Sequence, residues 1–185
     1  MRVTHGRGLI SETLRRNCIH RKGPKGWDEV LDKLSPEGRR IFAEPLGDFT
    51  WVPIELLNEL EDTAHSAMED SRPFEQGTSL AEQQLKVVHP WLLKLLSPET
   101  LIRQAPTIYR YYYKGGIGEV AGLSRGHGVF NLWATGLSEG WFESGLAGWF
   151  STALRLSGVH KVDVQHEGPP VEGDPYRHRY TVLWE

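Results

Sequence analysis

Apolar residues recur at three- and four-residue spacing through the first part of the chain and give way, near Pro106, to short β-branched and aromatic runs. The first pattern belongs to amphipathic helices and the second to strands. Residues 9–16 predict a short helix, ended by a Gly/Pro/Lys break over 21–26. Trp27, Val30, Leu31 and Leu34 form the stripe of a second helix. Ser35-Pro36-Glu37 has the chemistry of a helix start: a hydroxyl for free N–H groups, a proline where no N–H is needed, and an early carboxylate. Residues 52–68 predict a longer helix, with Thr50 as its cap and Pro53 in its first turn. Ile54, Leu57, Leu60 and Ala64 form its stripe, Glu55, Glu59 and Asp62 face away, and Glu61 falls close to the apolar side.

Residues 80–96 continue the helical pattern, with Pro90 ending or kinking it, and Ser97-Pro98-Glu99 repeats the start signal for a short turn to residue 104. Residues 107–114 predict a strand and Gly115-Gly116 a turn. Strands over 118–124 and 129–135 follow, separated by Arg125-Gly126-His127-Gly128. Residues 138–157 predict an amphipathic helix with Phe142, Leu146, Trp149, Phe150, Ala153 and Leu156 on its stripe, closed by Gly158. Strands over 159–166 and 177–184 close the chain. The expected class is α+β in one domain, 1–185. A mainly helical half, 1–105, packs on a small twisted antiparallel sheet, 106–185, that carries the inserted helix 138–157.

Composition narrows the function classes. The 185 residues carry 21 Lys+Arg against 24 Asp+Glu, a formal charge of −3, which leaves no basic footprint for nucleic acid. Hydrophobic residues make up 39%, enough for a core, yet no run approaches a membrane span. Residues 1–10 lack the apolar centre of a signal peptide, so a cytoplasmic protein is expected. A single cysteine, Cys18, excludes an internal disulfide framework. Arg15 and Arg16 lie near it and could lower its thiol pKa, but spacing places no base beside it.

Short motifs carry a family resemblance. Gly173-Asp174-Pro175, followed by His178-x-Tyr180-x-Val182-x-Trp184, resembles the closing strand of 4-vinyl reductase-like domains, which read Gly-Asp-Pro, a gap, then Cys-x-Phe-x-Val-x-Trp. Residues 34–40 (Leu-Ser-Pro-Glu-Gly-Arg-Arg), Trp51-Val52-Pro53 and Ser97-Pro98-Glu99 resemble a related paralogous family of small myxobacterial-type proteins. The resemblance implies a superfamily shared by haem-NO-binding domains, aromatic-effector sensors and TRAPP-type subunits, in which helices pack on a twisted antiparallel sheet around a pocket or channel. Its members sense, bind or scaffold, and many dimerise. The cysteines that ligate metal in some sensory members are absent, and His178 stands at the last of those positions, so no zinc site carries over.

Three groups of residues bear candidate chemistry. On an extended 107–114 segment, Tyr109, Tyr111 and Tyr113 share the face opposite Arg110 and Lys114. With Trp133 and Trp141, and Trp149 beyond them, they would wall a small-molecule pocket, each phenol needing a partner; the same rings could simply be core. In the last hairpin a symmetric loop would set His166 opposite His178, Val164 opposite Tyr180 and Val162 opposite Val182. Two imidazoles at that spacing, with Glu167 or Asp174, would make a zinc-type set; otherwise they are solvated hairpin histidines, and no third ligand is fixed by spacing. Gly115-Gly116-Ile117-Gly118 joins two expected strands and is no phosphate loop. His127, flanked by glycines, is either a loop contact to ligand or an ordinary turn residue.

No nucleophile elbow, His-Glu-x-x-His pair or similar signature is present, and carboxylates such as Glu143 and Asp163 fall on solvated faces, so no enzyme is expected and no cofactor is assigned. Gly140, Gly145 and Gly148 each cost ~1 kcal/mol in a helix relative to alanine. They imply close backbone approach, by the sheet beneath or by a second copy. The function expected is a non-enzymatic sensory or binding module that buries an apolar or aromatic small molecule and signals to a protein partner or as a homodimer. The alternative is a protein-binding scaffold or adaptor without ligand.

Overall fold

The computed structural model describes residues 1–68, 73–85 and 97–185. The expected helix over 80–96 is met as far as residue 85, and its remainder, with Pro90, lies outside the described residues. Strand β1 (His5–Arg7) leads into helix α1 (Gly8–Lys22), which Gly23, at φ 73°, separates from α2 (Pro24–Lys33). Helix α3 (Pro36–Phe42) starts as read, Ser35 Oγ accepting from Gly38 N at 3.1 Å. Residues 51–53 depart from expectation. They form strand β2 (Trp51–Pro53) before α4 (Ile54–Ala67), so Pro53, not Thr50, precedes the helix. Val52 is buried in the core and pairs with Gly6, which holds the segment extended. Helix α5 (Pro73–Gln83) follows.

The largest departure is at the tyrosines. Ser97 caps a helix that runs through Pro106 as α6 (Pro98–Tyr112), and only β3 (Tyr113–Lys114) is extended. Leu101, Ile102, Ala105, Tyr109 and Tyr112 are its buried positions. Their three-to-four spacing packs on the sheet, and this burial overrides the strand preference of tyrosine and threonine.

Two antiparallel sheets form. One has the order β2-β1-β3; the other is β4 (Ile117–Ser124), β5 (His127–Trp133), β7 (Arg177–Trp184) and β6 (Val162–Glu167), in the order β4-β5-β7-β6. Gly115-Gly116, at φ 94° and 76°, therefore links two sheets and closes no hairpin. Residues 139–156 are helical as expected, but Trp141–Gly145 is a π-helical turn ahead of α7 (Leu146–Leu156). The α+β class stands.

The glycines of this helix meet another helix, neither the sheet nor a second copy. A Cβ on Gly77 of α5 would lie 1.8 Å from Gly145 O, and one on Gly148 would lie 2.1 Å from Phe74 O. Backbone touches backbone along the α5–α7 seam, and only hydrogen fits there.

Candidate functional site

Helix α6 brings Tyr109 and Tyr112 to one side, because residues three apart share a helical face, and Tyr113, the first residue of β3, joins them by stacking on Tyr109. Phe130 from β5, Trp141 from the π-turn, and Leu146, Trp149 and Phe150 from α7 face them, with Gln84 closing the end. Together they line an aromatic cavity of about 30 Å³. Tyr109 and Tyr113 stack with centroids 5.2 Å apart, and Tyr113 leans on Trp141 at 6.4 Å. Tyr109 Oη donates to Gly115 O at 3.1 Å, and Trp149 Nε1 donates to Gln84 Oε1 at 2.7 Å. Burial pushes the phenol pKa values of Tyr109, Tyr112 and Tyr113 well up, so all three stay neutral.

Of the residues singled out from sequence, Tyr109, Tyr113 and Trp141 come together here. Tyr111 and Trp133 do not. Tyr111 sits across α6, edge-on to Phe49 at 6.0 Å and to Tyr112 at 5.1 Å, because a helix turns what a strand would have kept in line. Trp133 has the opposite strand parity to Phe130 and Leu132 and lies on the outer face of the sheet. There its Nε1 donates to Asp174 Oδ2 at 2.7 Å and the Arg177 guanidinium lies 6.0 Å from its ring. Tyr112, Gln84 and Phe130 were missed; the 101-102-105-109-112 periodicity was the available signal for Tyr112.

The hairpin histidines meet, but by a different register. His166 pairs with Tyr180, Val164 with Val182 and Val162 with Trp184. His166 Nε2 nevertheless lies 3.1 Å from His178 Nδ1, and His178 is stacked on Phe142 at 3.9 Å. The carboxylates considered as further ligands are committed elsewhere: Glu167 to Arg179 at 3.7 Å, Asp174 to Trp133 and to Tyr176 N. Among the described residues no group of three metal-ligating side chains assembles. Burial lowers the pKa of both imidazoles, His178 to about 4 with His166 adding to the effect.

His127 opens β5 opposite Ser124, so the turn is Arg125-Gly126 alone. Cys18 is buried, and desolvation raises its thiol pKa; the lowering expected from neighbouring arginines is not seen.

No protein-family model and no curated protein matches the chain. Solved structures match over nearly its whole length. An Fe(II) unliganded H-NOX protein from K. algicida, in a point-mutant form, superposes with a TM-score of 0.73 at 10% identity, covering 97% of this chain and 96% of that one. An H-NOX protein from S. oneidensis in the Fe(II)NO state gives 0.72 at 12% identity, covering 97% and 99%. A mutant of T. tengcongensis H-NOX gives 0.65 at 7% identity, covering 95% of each. These neighbours overturn the 4-vinyl reductase and TRAPP-type resemblance. The motifs that carried it are local structure: Ser35 and Ser97 are helix caps, and the Gly-Asp-Pro segment is a turn closed by Val171 and Asp174.

The described residues do not fit a haem. A cavity of about 30 Å³ has room for one or two waters and none for a macrocycle. Of the side chains that commonly ligate haem iron, only tyrosines stand among the described lining residues, and their burial opposes the phenolate. What the chain shares with these neighbours is the H-NOX fold.

Proposed function

We propose that this chain is a non-enzymatic binding module on the H-NOX fold whose described residues hold no haem. It takes a small apolar or aromatic molecule between α6, β5 and α7 and passes occupancy to a protein partner or a second copy. The observation that carries this is the cavity walled by Tyr109, Tyr113, Trp141 and Trp149 at the meeting of three elements. At about 30 Å³ it holds a diatomic or one to two waters as it stands. A larger guest must move Trp141 or Trp149. Trp141 belongs to a π-helical turn, a geometry often found at functional sites.

A scaffold without ligand would be favoured by an exposed Trp141, whereas it is 4% exposed and belongs to the cavity wall. No described helix is long and apolar enough to cross a membrane, and a cytoplasmic location belongs to the proposal. The test is an NMR titration with toluene, following the indole N–H signals of Trp141 and Trp149. Saturable shifts that vanish in Ala105→Val, which fills the wall, support the binding function; no saturable shift in the unmodified protein overturns it.

A further inference from the structure

Glu61 lies on the core stripe of α4 and is 5% exposed. Its carboxyl is held by neutral groups from two other segments: Gln76 Nε2 of α5 donates to Oε1 at 3.0 Å, and Ser138 Oγ lies 3.0 Å from Oε2. Among the described residues no cation pairs with it. The titratable groups that face it do not compensate: Asp62 on its own helix repels a charge, and Tyr113 from β3 is a neutral phenol. Burial lowers the pKa of His65, one turn along, and the hydrogen bonds to the carboxyl from α5 and the 138–145 segment come from Gln76 and Ser138. Desolvation accordingly raises the Glu61 carboxyl to about 7.

Ser138 ties this carboxyl to the aromatic cavity. Its carbonyl accepts from Trp141 N at 3.2 Å and Phe142 N at 3.3 Å, and its hydroxyl accepts from Trp141 N at 3.3 Å. An ionised Glu61 requires the Ser138 hydroxyl to donate; a protonated one donates to it instead. The proton on Glu61 therefore sets the direction of the bond at the start of the π-turn that carries Trp141. On the other side, Gln76 and His65 line a second cavity of about 180 Å³ between α1, α4 and α5, with Asn17, His20, Arg21 and Ser79. Polar walls of that size admit water.

We propose that Glu61 is a proton-linked latch on the aromatic cavity. Protonated, it closes the junction of α4, α5 and the π-turn and holds Trp141 in the wall; ionised, it draws water from the polar cavity and the junction opens. This rests on the aromatic cavity being the binding site, and it makes guest uptake pH-dependent around neutrality.

Amide hydrogen exchange at Trp141 tests the latch without any ligand. The ratio of its rate in the unmodified protein to that in Glu61→Gln removes the intrinsic pH dependence of exchange. The expected ratio is near one at pH 6 and at least tenfold at pH 8; an equal ratio at both overturns the proposal. Ser138→Ala, a second variant independent of Glu61→Gln folding, is expected to exchange fast at both pH values relative to Glu61→Gln, and a retained pH step overturns the route through Ser138. Toluene titrations at pH 6 and 8 separate the two ideas. Binding several-fold different at the two values in the unmodified protein, and equal in Glu61→Gln, supports the latch. Equal binding in the unmodified protein overturns control of the cavity, while no binding at either pH counts against the binding function alone.

Discussion

His166 and His178 are hydrogen-bonded at 3.1 Å although they are not opposite one another; the pair runs diagonally across β6 and β7, His166 standing against Tyr180. The His178 ring lies between Phe142 and His166, and Tyr180 Oη donates to Phe142 O at 2.8 Å, so the hairpin is fastened to the π-turn by a ring stack and one phenol. A proton added to this stack lands in a low-dielectric contact beside another imidazole.

Acid should loosen the fold at this point. His178 titrates near 4 in the folded chain and near 6.5 when unfolded, so its contribution is full above 6.5 and is lost as pH falls toward 4. The amount is on the order of 3 kcal/mol. His178→Phe, which keeps a ring against Phe142, is expected to remove this contribution to the pH dependence of denaturant melts between pH 4 and 6.5.

Glu61 works in the opposite sense. Its folded pKa, about 7, lies above the unfolded value of 4.5, so its contribution is full below 4.5 and is lost as pH rises through 7. From pH 4.5 to 6.5 the two slopes oppose, and the unmodified protein should show a shallow profile there. Glu61→Gln is expected to reveal the His178 slope, with stability rising with pH; His178→Phe is expected to reveal the Glu61 slope, with stability falling. Two steep profiles of the same sign would count against this assignment.

The glycine seam admits a sharp comparison. Gly77→Ala sets a methyl 1.8 Å from Gly145 O and must part α5 from α7, at ~2–4 kcal/mol. Gly122→Ala on β4 meets nothing closer than Val129 at 3.8 Å and should stay within ~0.5 kcal/mol. Chemical denaturation of the two variants side by side checks the difference.

Hemin offers the direct check that the described residues do not fit a haem. Added at one equivalent to the purified chain, it should give no stoichiometric Soret shift, and none should appear on reduction with carbon monoxide present. A shifted, saturable Soret band would show that the aromatic wall yields to a porphyrin.

Much of the architecture was legible in the residues. Serine, proline and glutamate placed the starts of α3 and α6, and the stripe of Ile54, Leu57, Leu60 and Ala64 placed α4. Glu61 near that stripe was the visible sign of a buried carboxyl. The tyrosine segment misled because three aromatic residues in succession score as strand, while burial of Ala105, Tyr109 and Tyr112 on the sheet decides for helix. With that period went part of the site: the alternation that grouped Tyr111 with Tyr109 is not the spacing that groups Tyr112 with it, while Tyr109, Tyr113 and Trp141 do meet. The hairpin register slipped by two because the connecting loop is not symmetric; Val171 and Asp174 close a turn of their own inside it. Trp133 was a matter of parity, which only the pairing of β5 with β4 and β7 resolves.

Strand β1 occupies the middle of its sheet, paired by Gly6 to Val52 on one side and Tyr113 on the other, and Val3 N donates to Thr135 O just beyond. During synthesis, then, residues 3–7 emerge long before the partners that complete them. Helices α1 to α4 can gather early, but this sheet waits for residue 113 and the tie at Val3 for residue 135. Contacts of such sequence separation slow folding and leave a strand edge uncovered in the meantime. The early part of the chain is thus closed by the late part, and a nascent fragment ending before residue 113 would carry β1 with one edge unpaired.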